Sequence, residues 1–150
     1  MKQLVVDVQG FKIENNKFIP KELAAYDGRK ICHYVFKPPF NLNQLPPNLI
    51  KEANWLMTNH HCIPWFEGFT PLHKFCDIIK NLTEDIDNVY VKGKEKCEYI
   101  RKYSLKPVIE LDENPPLQKS ESSCFYHSQT TCICALTNVN FLYRHFLMNE

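Results

Sequence analysis

The alternation of hydrophobic and polar positions changes period several times along the chain, and these changes divide it into elements. Residues 3–9, Gln-Leu-Val-Val-Asp-Val-Gln, form a β-branched run closed by Gly10, the pattern of a buried strand ending in a tight turn. Beyond the polar turn at 14–16, two further runs at 17–27 and 30–36 flank Asp27-Gly28. That dipeptide favours a two-residue hairpin, so the first three strands are expected to form an antiparallel meander. Pro38-Pro39 and Pro46-Pro47 bracket an extended connection. From Asn48, the residues Leu49, Ile50, Ala53, Leu56 and Met57 recur at three- and four-residue spacing, predicting an amphipathic helix to near Thr58. Residues 59–70 break that period and read as a surface loop.

Thr70-Pro71 predicts a second helix start, with Leu72, Phe75, Cys76, Ile78 and Ile79 as its buried stripe. A strand at 88–91, a helix at 94–103 with Cys97, Ile100 and Tyr103 inward, and a strand at 107–111 follow. A polar loop at 112–123 leads towards a final helix at 134–147. This order predicts an α/β fold in which a meander is followed by β-α crossovers, giving a five-stranded mixed sheet flanked by helices.

At 150 residues the chain has the size of a single domain spanning 1–150, able to bury roughly two-thirds of its unfolded surface. No apolar run approaches the roughly 20 residues of a membrane span, so no membrane partner is expected. The seven cysteines are odd in number and scattered, and the first residues, Met-Lys-Gln-Leu-Val-Val-Asp, lack a secretory signal pattern. Both features predict a reducing compartment, cytoplasmic or nuclear. With 18 basic and 17 acidic residues the net charge is +1, which neither demands nor forbids a polyanionic partner.

Candidate chemistry concentrates in Cys124-Phe-Tyr-His127-Ser-Gln-Thr-Thr-Cys132-Ile-Cys134, where four soft or borderline ligands fall within eleven residues. The opening Cys-x-x-His spacing lets a thiolate and an imidazole converge on one tetrahedral ion. The competing reading is that these cysteines are buried small hydrophobes. Asp7 and Glu22 each interrupt an apolar strand, a costly position for a carboxylate unless it is paired, metal-bound or turned to solvent. His60, His61 and Cys62 are also potential ligands, but adjacent residues seldom point the same way.

The element order resembles the ribonuclease-H-like fold of the DnaQ-type exonucleases, with Asp7-Val-Gln9 a partial match to their Asp-x-Glu. In that pattern Gln9 replaces a glutamate, and Cys132 stands five residues after His127 where an aspartate is expected. Mg²⁺ prefers hard, charged oxygen ligands, whereas a neutral amide supplies less charge and a thiolate the wrong softness. A member of the same superfamily, the Maelstrom domain of the small-RNA (piRNA) silencing pathway, is the closer resemblance. It carries a Glu-Cys-His-Cys zinc site in place of the catalytic carboxylates. Its signature is similar to Glu22 in Phe18-Ile-Pro-Lys-Glu22-Leu, to Cys124-Phe-Tyr-His127, and to Cys134-Ala-Leu opening the last helix. Cys132 is the alternative to Cys134.

The resemblance implies structural Zn²⁺, single-stranded RNA binding with endoribonuclease activity, and a role in small-RNA or transposon silencing. Lys92, Lys94, Lys96, Arg101 and Lys102 are candidate phosphate contacts, with Tyr99 or Tyr103 stacking on bases; a solvated helix face accounts for them equally well. Two other functions remain open. A catalytically inactive nuclease fold can serve as a protein-interaction module for silencing, viral or transposon assemblies, with the Trp65–Phe69 loop as its contact. A metal-dependent 3'-5' exonuclease would use Asp7, Glu22 and His127.

Overall fold

The fold is built around one long central strand. The computed structural model describes residues 2–13, 17–117, 120–121, 127 and 131–148. β1 (Gln3–Ile13) is buried from Leu4 to Gln9. It pairs antiparallel with β2 (Lys17–Tyr26), which pairs antiparallel with β3 (Ile31–Val35). On its other side β1 pairs parallel with β4 (Asn88–Lys92), and β4 with β5 (Val108–Leu111). The sheet order is β3-β2-β1-β4-β5. This is the expected α/β arrangement, a five-stranded mixed sheet flanked by helices.

Gly10 does not end the first strand. The β1–β2 register shifts between Gln9 and Gly10, and the strand continues to Ile13. A Cβ at Gly10 would lie 2.1 Å from the Ile19 carbonyl oxygen, so a close backbone approach at a bulge, and not a turn, is what requires glycine here. Pro20 pairs opposite Gly10, at the point where the ladder is already disrupted and a missing N–H costs least. The hairpin between β2 and β3 takes four residues where two were expected. Asp27 Oδ1 accepts from the backbone N–H groups of Arg29 and Lys30, and Gly28 holds φ +92°.

Side chains alternate across the sheet and separate two cores. On one face Val6, Val8, Leu23 and Ala25 pack with Phe75 and Ile79 of α2 (Phe75–Thr83) and with Cys97 and Ile100 of α3 (Lys94–Arg101). On the other, Val5 and Ala24 meet Ala135, Val139 and Leu142 of α4 (Ala135–Phe146). Val5, Val6 and Val8 are fully buried, each contributing about 1.5–3 kcal/mol.

A third cluster joins Phe11 and Ile19 to Ala53 of α1 (Pro47–Asn59) and to Trp65. The segment after α1 is therefore not a surface loop. His61, Cys62, Ile63 and Trp65 are buried there, and Trp65 Nε1 donates to the Phe40 carbonyl at 2.9 Å. Lys21 anchors the segment to β2, its ammonium donating to the carbonyls of Phe36, Trp65 and Glu67. Burial lowers its pKa to about 8.

The second helix also starts differently. Thr70 bridges to Phe36, a 3-10 turn at Leu72–Lys74 follows Pro71, and regular helix begins at Phe75. The polar stretch before α4 contains a small two-stranded sheet that periodicity does not announce, β6 (Ser120–Glu121) with β7 (Thr131–Cys132). Among the described residues, no helix is long and apolar enough to cross a membrane.

Candidate metal centre

Glu22 lies on β2, two residues from Ala24, so its side chain emerges on the α4 face of the sheet and is fully buried there. The start of α4 meets it. Cys134 holds extended backbone before the helix, and the Ala135 N–H donates to Glu22 Oε1 at 2.9 Å. A carboxylate at a helix N-terminus is favoured by unpaired N–H groups and by the helix dipole. The other oxygen, Oε2, faces Cys134 Sγ at 3.9 Å and His127 Nε2 at 3.2 Å.

His127, between β6 and β7, is brought in by the buried segment after α1. Its Nδ1 bonds to the His61 carbonyl. A carbonyl can only accept, so Nδ1 carries the hydrogen and Nε2 is left to face Glu22. The same segment fixes the adjoining strand, since the Ile133 N–H donates to the His60 carbonyl at 2.8 Å.

Two acceptor atoms 3.2 Å apart repel unless a cation lies between them. In the metal-free protein that cation is a proton. Burial alone would lower the His127 pKa, but hydrogen bonds to Cys134 and Glu22 outweigh it and push it up to about 10. Burial alone would raise that of Glu22, but hydrogen bonds from His127 and His33 hold it below the usual carboxylate range. The cluster is thus arranged to hold positive charge.

A metal ion can take the proton's place. The ligand atoms of Glu22, His127 and Cys134 all lie within 4.8 Å of one another, and all three residues are buried. Tetrahedral zinc, with bonds of about 2.0–2.3 Å, needs ligand atoms roughly 3.3–3.8 Å apart, close to the 3.2 and 3.9 Å found here. Donors of this kind, one oxygen, one nitrogen and one sulfur, suit a borderline-soft ion better than Mg²⁺. Cys124 lies outside the described residues. Cys132 is buried and packs with Cys62 and Cys134, and burial pushes its thiol up to about 12. None of the six described cysteines is disulfide-bonded.

His61 is buried and neutral, its pKa lowered by burial to about 3. Its Nδ1 accepts from the Ile63 N–H at 3.1 Å, which places the ring hydrogen on Nε2, on the side of the Gly10 carbonyl but without a hydrogen bond of good geometry. That tautomer has no lone pair to offer an ion, so His61 serves the centre through its carbonyl. Sequence reasoning passed over it because adjacent His60, His61 and Cys62 read as exposed. The apolar residues that follow, Ile63 and Trp65, were the available signal.

Asp7 shares the α4 face but belongs to a different constellation. Its Oδ2 accepts from Gln9 Nε2 and Asn138 Nδ2, both at 2.9 Å, and its Oδ1 faces the Lys96 ammonium at 3.2 Å. Two amides and an ammonium thus surround the one buried carboxylate of β1. Asn138 was missed from the sequence, where a polar residue on the apolar stripe of the last helix was the available signal.

The candidate phosphate contacts are dispersed. Lys92 donates to the carbonyls of Asp112, Glu113 and Pro115, and Arg101 to that of Val108. Lys94 is exposed, and Lys102 lies 5.5 Å above the Tyr99 ring. Tyr99 and Tyr103 instead line a groove of about 1000 Å³ with Phe18, Trp55, Lys17 and Lys102. Trp55 is 57% exposed there, although an aromatic residue of this kind is more often core. No family model matches the chain, and no curated protein matches it in sequence.

Proposed function

We propose that this chain is a Maelstrom-like domain of the ribonuclease-H-like fold, stabilised by structural zinc and binding single-stranded RNA in small-RNA or transposon silencing. The observation that carries the reading is the convergence of Glu22 with His127 and Cys134, which are 105 and 112 residues away in the chain. The meander followed by two parallel strands also fits that fold. Cys124 would complete four protein ligands and leave no open position, as in a structural site. The ion would then tie α4 and the β6–β7 segment to the centre of β2.

The groove beside α3 is the better RNA surface, because Trp55 and the tyrosines offer stacking faces next to Lys17 and Lys102. Purified protein should contain one zinc per chain and bind labelled single-stranded RNA at low salt. Trp55→Ala with Lys102→Glu should weaken that binding at least about tenfold. Absence of both zinc and RNA binding refutes the proposal. Lys96 is a poor probe of RNA contact, since it neutralises Asp7.

One observation favours the protein-interaction reading. Phe66 and Phe69 are 77% and 61% exposed, while Trp65 is buried and cannot serve as the contact. The exonuclease reading is disfavoured by the Lys96 ammonium and two amides around Asp7, which hold the carboxylate that a divalent ion would require.

A further inference from the structure

His33 stands at the edge of the metal centre and is not among its candidate ligands. It lies on β3 opposite Ala24, so its side chain shares the sheet face of Glu22. Its Nε2 is 2.7 Å from Glu22 Oε2, the same oxygen that faces His127 and Cys134. The separation decides what His33 does. Two ligand atoms on one tetrahedral ion stand roughly 3.3 Å or more apart, whereas 2.7 Å is the length of a charge-assisted hydrogen bond. The carboxylate can only accept, so His33 Nε2 donates.

Glu22 is therefore gripped from two sides. Ala135 N–H takes Oε1, and His33 takes the outer side of Oε2. The inner side of Oε2 is left towards His127 and Cys134. The His33 side chain is 15% exposed, whereas those of Glu22 and His127 are wholly buried, so His33 stands between the carboxylate and solvent.

We propose that His33 is a positioning residue of this centre. By donating to Glu22 Oε2 it fixes the carboxylate in the orientation that ligates the ion, and so sets how tightly zinc is held and how slowly it leaves. The proposal rests on the metal-centre reading and adds a residue that the ligand pattern does not contain.

The test compares the full chain with His33→Leu and His33→Gln, using zinc alone in competition with a chromophoric chelator, and Co²⁺ as a spectroscopic substitute. Hydrogen-bonded partners of metal ligands are worth about 10- to 100-fold in affinity, and His33→Leu should lose that much and release zinc faster. His33→Gln keeps a side-chain N–H donor and should return to within about threefold of the parent. The cobalt spectrum should be the same in all three proteins, because the ligands do not change. Unaltered affinity in His33→Leu overturns the proposal, and so does a Gln variant as weak as the Leu variant. A cobalt spectrum that loses a nitrogen ligand also overturns it, since His33 would then bind the ion itself. If the parent takes up neither metal, the centre itself is refuted; if the parent binds and both variants match it, only the role of His33 falls.

Discussion

Replacing Glu22 by glutamine keeps the shape of the side chain and removes the charge on which the centre converges. The carboxylate is fully buried and receives Ala135 N–H at 2.9 Å, His33 at 2.7 Å and His127 at 3.2 Å. The amide oxygen of Gln can still accept from Ala135. Its NH₂ must then face the donors of His33 and His127, leaving an imidazolium in the core without its counter-charge. Breaking a buried charge pair from one side costs about 3–5 kcal/mol, a large part of the roughly 5–15 kcal/mol that holds a domain together. At about 2–4 °C per kcal/mol for a chain of this size, the melting temperature should fall by roughly 6–20 °C in chelator. Zinc at a thousandfold excess over its Kd should add about 4 kcal/mol to the parent and much less to the variant, which has lost an anionic ligand. Urea unfolding followed by tryptophan fluorescence, with chelator or with zinc, measures both quantities. A variant within about 1 kcal/mol of the parent in chelator, and stabilised equally by zinc, would refute the reasoning.

Two further outcomes concern the buried charges. In chelator, the His127 contribution to stability is fully present below its ordinary pKa of 6.5 and is lost as pH rises towards about 10. His61, lowered from 6.5 to about 3, acts oppositely and destabilises the fold as pH falls through that range, so these two groups together place the metal-free optimum near pH 6.5. A urea midpoint that stays level from pH 6.5 to 9 would contradict the protonated His127. Lys96→Met should cost about 2 kcal/mol by stranding the Asp7 carboxylate, and adding Asp7→Asn should recover most of that loss. Additive effects in this double-mutant cycle would mean that the pair is not coupled.

Much of the architecture was legible from one dimension. The β-branched runs, the Asp27-Gly28 turn and the apolar stripes of α1 to α4 follow from side-chain period and turn chemistry, which act within a few residues. The residues Glu22, His127 and Cys134, which the structure brings together in a group able to hold an ion, were legible as candidates, because a carboxylate in an apolar strand and a dense Cys/His tract are each unusual locally. What period alone misassigned depends on neighbours distant in sequence. Gly10 sits inside a strand because the Ile19 carbonyl crosses it, and residues 61–65 are core because Phe11, Ile19 and Lys21 meet them. The protonation state of the centre was likewise decided only by folding. His127 turns Nε2 to Glu22 because the His61 carbonyl holds Nδ1, and Glu22 presents Oε2 because Ala135 holds Oε1 and His33 the outer side. Residue type names which atoms can hold an ion. Their burial, spacing and remaining hydrogen bonds, supplied here by β3, α4 and the segment after α1, determine whether they do.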